Sequence, residues 1–216
     1  MQLAQGCEAE EYPDILVKLI YFETLGYDTS FAHIIPINLC QSSNLYLKKM
    51  AYLLAALLVK PGDELCLLMN NTIIKDLQNE NTFVIMTTLT LLRYFLTDYL
   101  VSHIVPVLKK LIRHQTSIIR RKSYLALYNI SQHFSHHLMD IKTYAVEALN
   151  DHESPVLFAG LAMIHPIIMK NPHQNKELTK RLVEILWHIL DHKYPKEYDY
   201  HRIPAPWAQI DILKML

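Results

Sequence analysis

Apolar residues recur along this chain at helical spacing. Ile15, Leu16, Leu19, Ile20 and Phe22 share one face and leave Lys18 and Glu23 outside. Val105, Leu108, Leu111 and Ile112 do the same against Lys109, Lys110 and Arg113, and Val183, Leu186 and Leu190 repeat the i, i+3, i+4 rule. The stretches Tyr52 to Val59 and Phe83 to Leu92 are apolar almost all round, as a helix sandwiched between neighbours requires. The pattern predicts helices over 12–24, 31–40, 45–59, 63–78, 82–96, 99–113, 117–133, 138–149, 154–170, 174–191 and 205–216. Pro36, Pro106 and Pro166 fall inside these stretches, where each removes a backbone donor and is expected to bend its helix.

An internal repeat underlies the pattern. Asn44-Leu45-Tyr46-Leu47-Lys48-Lys49-Met50-Ala51-Tyr52-Leu53 aligns with Thr116-Ser117-Ile118-Ile119-Arg120-Arg121-Lys122-Ser123-Tyr124-Leu125. The leucines Leu39, Leu77, Leu111 and Leu149 recur at steps of 38, 34 and 38 residues, the range of paired-helix arrays. Each precedes a short polar turn: Cys40 to Ser43, Gln78 to Asn81, Arg113 to Thr116, Asn150 to Glu153. Short polar side chains there can cap the next helix by accepting from its free N–H groups. The expected fold is all-α, a right-handed superhelical solenoid of HEAT/ARM-like antiparallel helix pairs over residues 12–216, with residues 1–11 a poorly ordered tail. The aromatic-rich stretch from Asp191 to Pro206 is expected to be an ordered loop whose rings cover the core. The final apolar helix has no polar outer face, so the chain reads as a piece of a longer array.

Composition supports this and narrows the function. Half the residues (51%) are hydrophobic and only four of 216 are glycine, which favours helices over glycine-dependent strand turns. With 21 basic and 21 acidic residues the net charge is zero, without the basic excess of a nucleic-acid binder. Cys7, Cys40 and Cys66 are scattered and odd in number, which fits buried thiols in a reducing compartment better than a disulfide framework or zinc site. No secretory signal pattern opens the chain, and every apolar run breaks well before the length of a membrane span.

The candidate chemistry is sparse. His188 and His192 stand four apart on a predicted helix face, but Ile189 occupies the place of the glutamate a zinc hydrolase needs. His133, His136 and His137 surround a turn without cysteine neighbours. There is no glycine-rich phosphate loop and no nucleophile elbow, so no catalytic residue, metal or cofactor is expected. The run Lys109, Lys110, Arg113, Arg120, Arg121 and Lys122 reads in two ways. It is a patch for anionic headgroups or an acidic partner, or a set of turn-end charges that bond neighbouring turns and carbonyls.

Four stretches together resemble the trunk of the large adaptins of the γ, α and ε type. They are Tyr21 to Asp28 (the family's LGY/LGH element), Asn70 to Leu77 (its N-x-x-x-K-D-L segment), Arg120 to Tyr128, and Ile203-Pro204-Ala205-Pro206-Trp207. The Tyr-Asp-Tyr-His and Pro-Ala-Pro-Trp region is most similar to the ε type. The resemblance implies a non-enzymatic cytosolic scaffold of a vesicle coat, assembled with a second large, a medium and a small chain. It implies recruitment by an Arf-family GTPase to trans-Golgi or endosomal membranes, peripheral membrane association and cargo sorting, while the neutral charge balance gives no expectation of a nucleic-acid partner. In register, the GTPase-facing surface falls on Ile34, Ile37 and Leu68, with ordinary core placement as the competing reading. Two departures limit the transfer. The lysine-rich lipid site of the α type is replaced by acidic Glu10-Glu11-Tyr12-Pro13-Asp14, and the family's arginine-bearing helix near the dileucine pocket would precede Met1. The alternative class, an importin-type transport receptor, typically has acidic inner faces that this neutral chain lacks.

Overall fold

The four anchor leucines each turn out to be the last residue of a helix. In the computed structural model, which describes residues 12–60, 63–138 and 140–216, α2 (Ile34–Leu39), α4 (Glu64–Leu77), α6 (Asp98–Leu111) and α8 (Ile141–Leu149) end on Leu39, Leu77, Leu111 and Leu149. After the predicted turns come α3 (Leu45–Leu58), α5 (Thr82–Leu91), α7 (Ser117–His133) and α9 (Ser154–Lys170). Helix α1 (Tyr12–Thr24) opens the described chain, and α10 (Thr179–Leu190) and α11 (Pro206–Met215) close it. No strand occurs among the described residues; Tyr200 and Ile203 form one isolated bridge. Nor is any described helix long and apolar enough to cross a membrane. The expected tail, Cys7 and the acidic pair Glu10-Glu11 lie outside the described residues.

The turn side chains act as the sequence predicts at some junctions. Asn44 Oδ1 accepts from the backbone N–H of Tyr46 and Leu47 at 2.9 and 3.2 Å, and Asn81 accepts from Phe83 at 2.9 Å. Thr116 makes no such bond. Helix α8 starts at Ile141 rather than 138, because Asp140 caps it by accepting from the Thr143 N–H. At its C-terminus α1 ends in a Schellman motif. Gly26, at φ 83°, donates to Glu23 O, Tyr27 donates to Phe22 O, and the Phe22 and Tyr27 rings meet edge-on at 5.9 Å. The LGY element is therefore a helix stop. Gly26→Ala is expected to cost about 1–2 kcal/mol, because an L residue is strained in this conformation even with open space around it. Thermal unfolding by far-ultraviolet dichroism checks this.

Two compact units divide the chain, Met1–Lys110 and Leu111–Leu216. In the first, α1, α3 and α5 stack side by side, and α2 and α4 touch in a second layer; α3 pairs with α2 and α5 with α4. In the second, α7, α9 and α11 stack, with α8 against α7 and α9, and α10 against α11. In this alternation a helix that is apolar almost all round buries two sides at once, so α5 hides Val84, Ile85, Thr88, Leu89 and Leu91. Fully buried Tyr52, Leu54, Met69, Ile73 and Phe95 fill the first unit, with Phe95 edge-on to Tyr52 at 6.3 Å. Tyr124, Leu127, Leu149, Ile164, Ile185 and Ile212 belong to the second core.

Several expectations need correction. Pro36 does not interrupt a helix: the 31–40 stretch is a 3-10 turn (Ser30–Ala32) followed by α2, with Pro36 in its first turn, where the missing N–H has no intrahelical partner. Pro106 and Pro166 do lie inside α6 and α9, which continue through them. The predicted 82–96 helix gives way to a 3-10 turn at Leu92–Tyr94, and the 174–191 helix begins as a 3-10 segment, Pro172–Leu178. Asn175 explains the second break. Buried and off helical angles, it donates through Nδ2 to the Asn171 carbonyl at 2.7 Å, satisfying the C-terminal end of α9. In the Asp191 to Pro206 loop Tyr194 and Tyr198 pack on Phe158 of α9.

Candidate docking surface

On the first unit the face of α4 that points away from the core carries Glu64, Leu67, Leu68, Asn71 and Lys75, at i, i+3, i+4, i+7 and i+11. Two of these five are leucines, 58% and 53% exposed. On α2, which touches α4, Ile34 is 44% exposed, and Phe31 just before it is 65% exposed. Neighbouring apolar side chains left in water mark a surface suited to a partner. Of the three residues assigned to GTPase contact, the structure exposes Ile34 and Leu68 and buries Ile37, at 2%. Ile37 thus belongs to the core reading: it lies on the buried side of α2 and offers a partner no surface.

The basic run is divided between the two units: Lys109 and Lys110 lie in the last turn of α6, in the first, and the others belong to the second. Arg120 is only 7% exposed. Its Nε and Nη2 donate to the two Asp151 carboxylate oxygens at 2.8 Å each, and Nη1 donates to the His114 and Gln115 carbonyls at 3.0 and 2.9 Å. The turn-end reading is the correct one for Arg120. Burial alone would raise the Asp151 carboxyl, but Arg120 and the Glu153 N–H hold it below its ordinary value, and the bonds to Asp151 raise Arg120. Arg121 and Arg113 remain exposed, with Arg113 only 3.9 Å from Glu147. Lys122 is half-buried and shifted down by that burial and by Arg121.

Lys48, aligned with Arg120 in the repeat, is also buried and paired. Its Nζ donates to both Asp76 oxygens at 2.7 and 2.6 Å, and the Tyr52 hydroxyl donates to the same carboxylate at 2.8 Å. Burial and the Asp76 charge push the Tyr52 phenol up. Sequence reading missed this pair. The signal was present, a basic residue at one repeat position in both segments with an acid 28 or 31 residues on. The pair lies beside a polar cleft of about 560 Å³ edged by Ser42, Ser43, Asn71 and Lys75, and the two opposite charges cancel there. The histidine pair is also corrected: α10 ends at Leu190 and His192 has φ 52°, so it shares no helix face with His188.

Comparison with known proteins agrees with this architecture. The family described as the adaptin N terminal region matches residues 8–216. AP-4 complex subunit epsilon-1 of Mus musculus is 36% identical over 203 residues, covering 94% of this chain and 18% of that protein. AP-4 complex subunit epsilon of Arabidopsis thaliana is 29% identical over 203 residues, 94% of this chain and 22% of that protein. The chain thus spans about a fifth of the length of these curated relatives. Among solved structures, a chain of a homology model of the full-length AP-3 complex superposes with TM-score 0.72 at 23% identity, over 96% of this chain and 34% of that one. A designed armadillo repeat protein does so with TM-score 0.55 at 15% identity, over 100% and 97%. Those two likenesses concern the fold alone. With its helix pairs, its Schellman-capped LGY element and a family match over nearly its whole length, this chain belongs to the adaptin N-terminal family.

Proposed function

We propose that this chain is a scaffold segment of the large subunit of a vesicle-coat adaptor complex, without catalysis of its own. Its partners in this reading are a second large, a medium and a small chain, and an Arf-family GTPase that recruits the assembly to trans-Golgi or endosomal membranes for cargo sorting. The observation that supports the GTPase part is the exposed apolar pair Ile34 and Leu68 on two touching helices, two of the positions that the resemblance to the γ-type trunk suggests for that contact. An apolar docking surface suits a partner whose switch segments rearrange with nucleotide, since burial of such side chains rewards only the fitting conformation. Arg113 and Arg121, exposed on the second unit, remain candidates for headgroup contact.

Ile34→Asp and Leu68→Asp each place a charge on this surface without touching the core. Each is expected to weaken binding of the GTP-loaded GTPase at least about tenfold, roughly 1.4 kcal/mol, with unchanged helical dichroism. Titration by calorimetry or surface binding checks this, and unchanged affinity in both variants rejects the surface. Purifying the assembly from cells through this chain tests the wider reading; it requires companion coat subunits among the captured proteins.

A further inference from the structure

A second recognition feature lies in the other unit, where the loop before α11 folds against α9. Phe158 on α9 meets the Tyr198 ring edge-on at 4.7 Å. Trp207, at the start of α11, is 67% exposed and lies 6.1 Å from the Tyr200 ring. Helices α9 and α11 pack together, and Phe158, Tyr198 and Trp207 line a pocket of about 220 Å³ with Ala205, Ala208 and Asp211. The small side chains of Ala205 and Ala208 leave this space open. Ala205 is buried and held at φ 37°, and Gln209 Nε2 donates to the Pro204 carbonyl at 2.6 Å, which ties the loop to the helix.

The chemistry of the lining is selective. Trp207 and Asp211 stand four apart on one face of α11, so an indole and a carboxylate share the opening. Asp211 has no ion pair among the described residues, and no basic side chain lines the pocket. Around Tyr198, Glu197 and Glu153 contribute negative charge against the single Arg121. Aromatic faces carry negative quadrupole density and attract cations, tryptophan most strongly. At about 220 Å³ the pocket falls below the range of small-molecule and cofactor sites and suits one side chain. A neutral aliphatic residue would fill it but would give the half-buried Asp211 carboxylate at its opening no counter-charge.

We propose that the pocket formed by Phe158, Tyr198, Trp207 and Asp211 receives an arginine side chain presented by a protein partner. The planar guanidinium stacks on the indole while its N–H groups donate to Asp211, a combination that neither a lysine nor an aliphatic side chain matches. The site is independent of the GTPase surface, which belongs to the other unit.

The test uses the 216-residue chain with Trp187→Phe, so that tryptophan emission comes from Trp207 alone. Three blocked amino acids serve as probes: N-acetylarginine methylamide, its uncharged isostere N-acetylcitrulline methylamide, and N-acetylnorleucine methylamide. The arginine probe is expected to change Trp207 emission saturably, at least about tenfold more tightly than either neutral probe, and to weaken as salt rises. Asp211→Asn is expected to remove that preference. Ala208→Leu, which fills the pocket, is expected to abolish the response with unchanged dichroism. Norleucine binding as tightly as arginine would make this an aliphatic pocket and overturn the proposal. So would an arginine response that survives Asp211→Asn, or no saturable response at all.

Discussion

Replacing Arg120 with alanine is expected to destabilise the second unit by about 3–5 kcal/mol, the cost of breaking a buried ion pair and stranding one partner. The loss exceeds one contact. Arg120 satisfies both Asp151 oxygens and two carbonyls of the turn before α7, so its removal leaves a nearly buried carboxylate and two unpaired acceptors. Both tryptophans, Trp187 and Trp207, lie within Leu111–Leu216, so urea unfolding followed by tryptophan emission reports on this unit. Arg120→Lys keeps the charge but not the bidentate fork, and should recover only part of the loss. The same pair predicts a pH dependence. Asp151 is depressed in the folded protein, so its contribution is present above the unfolded carboxyl value of about 3.9 and is lost as pH falls through the lower folded value. Asp151→Asn should flatten this acid limb. Arg120, raised in the fold, adds no pH dependence near neutrality.

Gly160→Val is expected to cost the second unit about 3 kcal/mol, the upper end of measured overpacking penalties. Gly160 lies inside α9, where glycine is about 1 kcal/mol worse than alanine for helix stability. The reason for it lies across the helix pair. A Cβ there would stand 2.7 Å from the Leu149 backbone N and 2.9 Å from the Ala148 carbonyl carbon. These are backbone atoms of α8, which cannot swing aside as a side chain would. Any substitution must push α8 from α9, disturbing Ala148 and Leu149, both fully buried. The same urea experiment reads this out, and a midpoint equal to that of the unaltered chain would remove the close approach from the account.

The repeat and its turns were legible because their causes are local. The spacing of Leu39, Leu77, Leu111 and Leu149 marked four helix ends, although the predicted bounds ran one or two residues past the first three, and Asn44 and Asn81 cap the helices that follow. The Phe158 cluster was legible only in outline, as aromatics in a proline-rich loop. The basic run shows where reading stops. Arg120 and Arg121 are adjacent and chemically alike, yet one is buried in a four-bond network and the other is exposed. Ile34 and Ile37 divide the same way, since both suit a helix and only contact with the neighbouring elements decides which one is covered.

What the sequence determined by itself, then, is the helix pairs, their turns and the all-helical fold. Helical periodicity, capping and glycine scarcity act within a few residues and need no partner. Only tertiary structure decided which side chains remain available to other molecules. It matched Lys48 to Asp76 and Arg120 to Asp151 across 28 and 31 residues, withdrawing two cations from the surface. It also left Ile34, Leu68 and Trp207 exposed, because burial depends on what the neighbouring helices bring, and that is a property of the stack.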